Sequence, residues 1–173
     1  MADKQTYYIT TPIILHLLEA PVDFDRIVVM MQKEVAERLS ATPGSKEYGS
    51  LSIAVQLVAS VATAFTVSRH AFVPAPNVDS AIVTLTQRTE PLAALTDPAS
   101  FDRLVRGAFA SRRKTLWNNL VVLFGKTNKA AIRSALTTAA IDPGTRAERL
   151  SIADFARLDR ALRAADLISQ AHA

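Results

Sequence analysis

Cysteine is absent from the 173 residues. Disulfides, thiolate catalysis and cysteine-ligated zinc are thereby excluded, and the absence fits a reducing cytoplasm. The three histidines, His16, His70 and His172, stand far apart and share no metal-ligand spacing, so no metal site is expected. Glycine is scarce: Gly44, Gly49, Gly107, Gly125 and Gly144 are all of it. None of them forms a G-x-G cluster behind a strand, so these residues hold no dinucleotide or nucleoside-cofactor loop. A P-loop and a G-x-S-x-G nucleophile turn are missing as well. No apolar run reaches the roughly 18 residues of a membrane span, and the polar start Met1–Thr6 is not followed by a secretory core. No membrane partner is expected, and the localisation read from the sequence is cytoplasmic.

About half of the chain, 49%, is apolar, which supports a real core and argues against disorder. That length makes one domain or two small ones. The net charge of +4 fits a polyanionic partner, but on net charge alone ordinary solubility charge stays the leading reading.

The first half reads as mixed α/β. Thr10–Leu18 is an apolar stretch with Pro12 in its first turn, which suits a helix start. Arg26–Met31 reads as a buried strand and Gln32–Leu39 as a charged helix, with Glu34 and Glu37 pairing on the surface with Lys33 and Arg38. Thr42–Ser45 is a turn, and Ser50–Ala59 repeats apolar residues at helical spacing. Ser60–Val67 and Ala81–Leu85 read as strands around a loop, Arg69–Ser80, whose Pro74 and Pro76 bar it from a central strand. Taken as parallel, three strands are few, and both faces should be covered by neighbours, so the sheet looks incomplete. Leu85–Pro98 is a linker candidate. Everything from Ala99 reads as helix: a Phe101–Phe109 stripe, a Trp117–Phe124 stripe closed by Gly125, an Ala-rich Lys129–Ala139, and a capped start at Ser151 with Asp154. The expected fold is therefore α/β plus all-α, divided into 1–92 and 93–173.

Two constellations carry chemistry. Arg103, Arg106 and Arg113 share one side of the expected helix, and Arg112 and Lys114 extend the patch to its end. Guanidinium groups take phosphate through paired hydrogen bonds, and several together give a salt-dependent grip on nucleic acid. A merely solvated helix face gives the same pattern. The loop Phe72–Ser80 is stiffened by two prolines and opens on an aromatic ring that could stack an extruded base. A structural turn with Phe72 packed in the core is the default from pattern alone. Tyr7-Tyr8 by default packs against the core.

The residues also resemble a family. Tyr7–Ile14 is similar to the segment that follows the catalytic Asn-Leu-Pro-Tyr motif of the KsgA/RsmA-type small-subunit ribosomal RNA adenine dimethyltransferases. Met31–Arg38 with Pro43–Ser52, the Phe72–Ser80 loop, Phe109–Leu120 (Phe-Ala-Ser-Arg-Arg-Lys-Thr-Leu-Trp-Asn-Asn-Leu) and Arg146–Ser151 resemble four further signatures of that family, in order. The resemblance runs from Tyr7 to about Ser169. It implies a Rossmann-like methyltransferase domain followed by a small helical domain. It implies dimethylation of two adjacent adenines of small-subunit rRNA from S-adenosylmethionine, on immature small subunits. Tyr7 would match the motif tyrosine and Phe72 the loop aromatic, both stacking the base. The Arg112-Arg113-Lys114 cluster would contact rRNA.

Two departures qualify this expectation. The glycine-rich cofactor half expected upstream is absent from the sequence. Lys4-Gln5-Thr6 stands where Asn-Leu-Pro is expected, and lysine cannot accept a hydrogen bond from a target amine. The chain is accordingly expected to be a truncated form that binds rRNA, binds no cofactor and transfers no methyl group alone. The alternative is a non-enzymatic RNA-binding or ribosome-assembly protein. A large-subunit methyltransferase of the antibiotic-resistance type is disfavoured by Pro43–Ser52 and the Arg-Arg-Lys-Thr-Leu run. The strand near Arg26–Met31, left without its neighbour, is expected to favour self-association through an exposed edge.

Overall fold

β-branched and apolar residues build three strands: β1 (Ile27–Gln32), β2 (Ala59–Val67) and β3 (Ser80–Gln87). In this computed structural model, which describes residues 10–19 and 24–168, they form one sheet in the order β1-β3-β2. Both pairings are antiparallel, with Val29 opposite Val83 and Thr63 opposite Val83, so the parallel arrangement assumed from sequence is corrected. Alternating apolar residues reveal a strand but not its direction. β2 carries an irregularity between Thr63 and Phe65. Strand β3 runs to Gln87, two residues past the strand end expected at Leu85.

The period of two gives this sheet two unlike faces. Ile27, Met31, Ala81, Val83 and Leu85 are buried. On the opposite face Val28 is 58% exposed, Met30 44% and Phe65 59%. Helices α1 (Thr10–Glu19), α2 (Lys33–Ser40) and α3 (Ser50–Val58) accompany the strands. The buried residues of α2 are Ala36 and Leu39. On its outer side Lys33 pairs with Glu37 and Arg38 with Glu34, as the charge pattern suggests. The Gln56 side chain on α3 donates to the carbonyls of Leu39 and Ala41, both at 2.8 Å, and closes the end of α2.

The chain divides into two compact units, 1–41 with 54–91 and 42–53 with 92–173. The turn around Tyr48 thus belongs with the helices that follow residue 92. Four helices dominate this second unit: α4 (Pro98–Ala108), α5 (Leu116–Phe124), α6 (Lys129–Thr138) and α7 (Ile152–Ala164). Three of these starts are capped by a side chain. Asp97 caps α4 by accepting from the backbone of Ala99 at 3.0 Å, with Pro98 in the first turn. Thr115 caps α5, and Gly125, at φ +92°, ends it in a conformation that other residues adopt only with strain. Ser151 and Asp154 form a reciprocal capping box on α7.

The core of this unit is apolar and aromatic, with Phe101, Leu104, Leu116, Leu120, Ile132, Leu136, Phe155 and Leu162 all buried. Phe109 packs edge-on against Tyr48 (6.2 Å between centroids) and stacks with Phe155 (6.0 Å). A buried i,i+4 ion pair on α7 lies at its side, Arg163 Nε to Asp159 Oδ2 at 2.9 Å. Arg163 also bonds the Ser100 hydroxyl, tying α7 to the first turn of α4.

Candidate nucleic-acid interface

The proline loop, residues 68–79, is held at both ends by Arg69. Its backbone N–H donates to Asp79 Oδ1 at 3.0 Å, and its guanidinium donates to the Asn77 carbonyl at 3.3 Å. Ser68 accepts from the His70 N–H at 3.3 Å, and the Asp79 carbonyl accepts from the Lys33 N–H at 3.0 Å. The segment is therefore braced by side chains as well as by Pro74 and Pro76. Phe72 is half-buried, neither sealed in the core nor free, and Val73 beside it is fully exposed. An open cleft of about 600 Å³ lies alongside, lined by Lys33, Glu37, Arg69, His70 and Asp79 among others. Arg69 escaped the sequence reading, although an arginine ten residues before Asp79 across a two-proline loop was a signal for it. Tyr7, Tyr8 and Lys4–Thr6 lie outside the described residues.

The basic cluster sits in the second unit, and its layout differs from the expected continuous helix. α4 ends at Ala108 with Phe109 as its cap. Arg103 and Arg106 ride on the exposed side of α4, whereas Arg112, Arg113 and Lys114 occupy the turn before α5, all exposed. A buried side chain shapes this turn: Asn119 Nδ2 donates to the carbonyls of Ala108 at 2.6 Å and Ser111 at 3.1 Å. Leu116 N–H donates to the Thr145 carbonyl at 2.8 Å, which brings the segment preceding Arg146 alongside.

The five cations are not equivalent. Arg106 donates to Asp102 at 2.7 Å, an i,i+4 surface pair. Arg112 reaches the Tyr48 carbonyl at 2.5 Å, so it fastens the 42–53 turn as well as facing solvent. Arg103, Arg113 and Lys114 have no carboxylate at ion-pair distance among the described residues. Charges left uncompensated on an exposed surface are the ones available to phosphate.

Tyr48, beneath this region, carries a second electrostatic signature. Burial, reinforced by the negative charge of Asp154, pushes its phenol up to about 12. Its hydroxyl has no hydrogen-bond partner among the described residues. Asp154 moves the other way: burial opposes its ionisation, but hydrogen bonds from Ser151 and the Arg157 guanidinium hold it below the usual carboxylate range. Among the described residues no group of histidine and acidic side chains is placed to hold a metal ion.

β1 runs directly into α2 at Lys33, β2 into the Arg69–Ala71 turn and β3 into Arg88, and none of these exits carries a glycine. The two glycines with positive φ, Gly44 and Gly125, both lie in the second unit and follow no strand.

The braced aromatic loop belongs to the first unit and the uncompensated basic turn to the second. A family model described as ribosomal RNA adenine dimethylase matches residues 4–163, and the chain belongs to that family. It is 63% identical over 158 residues to a protein named ribosomal RNA small subunit methyltransferase A from Latilactobacillus sakei, covering 90% of this chain and 53% of the relative. A protein of the same name from Streptococcus thermophilus is 56% identical over 163 residues, covering 93% of this chain and 56% of the relative. The chain thus spans about half the length of the curated relatives it matches. Among solved structures, a dimethyladenosine transferase from Plasmodium falciparum superposes with a TM-score of 0.74 at 27% identity, covering 92% of this chain and 65% of that one. The 23S rRNA methyltransferase ErmE shares the fold, with a TM-score of 0.63 at 24% identity, over 91% of this chain and 62% of that one. No described helix is long and apolar enough to cross a membrane.

Proposed function

We propose that these residues form the RNA-holding part of a small-subunit rRNA adenine dimethyltransferase, acting in the cytoplasm on immature small subunits. The observation that carries this is the set of exposed cations without acidic partners, Arg103, Arg113 and Lys114, on a unit whose sequence belongs to the adenine dimethylase family. Arg106 and Arg112 contribute while also serving their intramolecular bonds. Phe72, partly exposed on a braced loop, is the surface against which an extruded adenine stacks, with Tyr7 its counterpart in the family's motif. The strand exits lack the glycines of a nucleoside cradle. By itself, therefore, the chain binds no S-adenosylmethionine and leaves the adenine amines unmethylated.

A second reading, a non-enzymatic RNA-binding or ribosome-assembly protein, shares the same surface and is favoured by the same missing cradle. The two separate in one assay. The chain is mixed with immature small subunits and labelled S-adenosylmethionine, with and without a separately supplied cofactor domain from a relative. Methyl transfer only in the complemented mixture supports the enzyme-derived reading. No transfer in either, with binding intact, favours the assembly reading. Transfer by the chain alone overturns the account of the cofactor.

The sheet adds a property of its own. β1 and β2 each pair only with β3 among the described residues, and the face bearing Val28, Met30 and Phe65 is open. Unpaired backbone beside exposed apolar residues favours strand addition, so self-association belongs to the proposal. A monodisperse monomer in light scattering contradicts it.

A further inference from the structure

The cations before α5 are followed by side chains of a different kind. Trp117, in the first turn of α5, is the sole tryptophan of the chain. It is half-buried, and the Arg133 guanidinium from α6 lies over its ring at 5.0 Å from the centroid. A guanidinium this close to an indole face is attracted to it by the cation–π interaction. Arg133 is exposed and has no carboxylate at ion-pair distance among the described residues. The indole therefore supports one side of the guanidinium and leaves its outer side to solvent.

Charges flank this pair on both elements. Lys114 stands three residues before Trp117, just ahead of the Thr115 cap. Lys129 stands four residues before Arg133, on the same side of α6 by helical spacing, and is likewise exposed without an acidic partner. A planar π-cation between two point charges matches a nucleotide that is not in a duplex: the base stacks on the plane and the adjoining phosphates meet the ammonium groups. A fully paired helix hides its base faces and gains only the phosphate contacts.

We propose that Trp117 and Arg133 form a stacking platform for one unpaired RNA base, placed beside the phosphate grip of Arg113 and Lys114. This rests on the RNA-binding reading of the helical unit and deepens it. The ligand of this surface is then a loop, bulge or single-stranded stretch. A fully paired RNA helix does not engage it.

The lone tryptophan makes the platform observable. Indole emission is followed while a short adenine-rich RNA single strand, or a fully paired RNA duplex of equal length, is titrated into the chain. Binding is measured in parallel by anisotropy of a labelled strand across a salt series. The single strand is expected to change Trp117 emission and the duplex to leave it nearly constant. Arg133→Lys keeps the charge but not the plane, so it should preserve the salt dependence, abolish the emission change and weaken single-strand binding by about fivefold or more, the lower end of one base stack. Arg133→Leu should lose the emission change as well. Single-strand binding with unchanged emission, an equal response to duplex, or an Arg133→Lys variant indistinguishable from the parent overturns the platform and leaves the phosphate grip standing. Absence of salt-dependent RNA binding altogether overturns the RNA reading and the platform with it.

Discussion

Asn119 and Ala108 are joined by a 2.6 Å hydrogen bond from a buried carboxamide to the last carbonyl of α4. The second donor contact, to Ser111 at 3.1 Å, extends the tie into the turn that carries Arg112, Arg113 and Lys114. An amide from α5 thus sets where α4 stops and how the basic turn leaves it. Replacing it by alanine leaves two carbonyls short of a donor in a largely buried place. Asn119→Ala should destabilise the chain by about 1–3 kcal/mol in urea unfolding. It should also lower RNA affinity, although no cation is touched. Stability loss with RNA affinity unchanged would show that the turn holds its shape without Asn119.

Arg112 and Arg113, adjacent in sequence, should separate in experiment. Arg112 bonds the Tyr48 carbonyl and Arg113 bonds nothing acidic among the described residues. Arg112→Ala is expected to lower both stability, by about 1–2 kcal/mol, and RNA binding. Arg113→Ala should leave stability within about 0.5 kcal/mol and reduce the salt slope of RNA binding by about one. Thermal unfolding paired with a salt titration reads both quantities.

Tyr48 should govern the alkaline limit of stability. Its phenol is raised in the folded chain from 10.0 to about 12, so the fold favours the neutral form. The contribution is complete below the unfolded value and is lost as pH rises through 10 toward 12. Unfolding above pH 10 should therefore accompany tyrosinate absorbance, and Tyr48→Phe should delay it. At neutral pH the same variant removes a buried hydroxyl that has no partner among the described residues, so its stability should match or exceed the parent's by up to about 1 kcal/mol. A large loss at neutral pH would mean that the hydroxyl is bonded.

Asp154 sets the acid side. Its carboxyl is held low by Ser151 and Arg157 in the capping box. That stability is present above the unfolded carboxylate value of about 4 and disappears as pH falls through the lower folded value. Asp154→Asn should flatten the acid limb of a stability-versus-pH curve and cost about 1 kcal/mol at neutral pH. An acid limb identical to the parent's would remove Asp154 from the account.

Much of this was legible in the sequence. The strands at 27–32, 59–67 and 80–87, the capping box at Ser151, the stop at Gly125 and the surface pairs of α2 all follow local rules of periodicity, capping and charge spacing. What was not legible depends on residues far apart in the chain. Strand direction leaves no trace in alternating Val and Ile. The end of α4 carries no proline and no cap glycine, because the tie is Asn119, eleven residues downstream of Ala108. Tyr48 stands between the Thr42–Ser45 turn and the helix from Ser50 with no local signal of its own, yet its ring is buried against Phe109. Trp117 read as core at helical spacing, and only the packing of α6 lays Arg133 across it.

The most direct measurement is binding of the chain to immature small subunits across a salt series, beside a variant carrying Arg112→Gln, Arg113→Gln and Lys114→Gln. The parent should bind with a steep salt dependence, and the variant should bind more weakly with a slope lower by about three, one for each phosphate contact removed. Equal affinity and equal slope for the two chains would contradict the claim that this turn grips ribosomal phosphate.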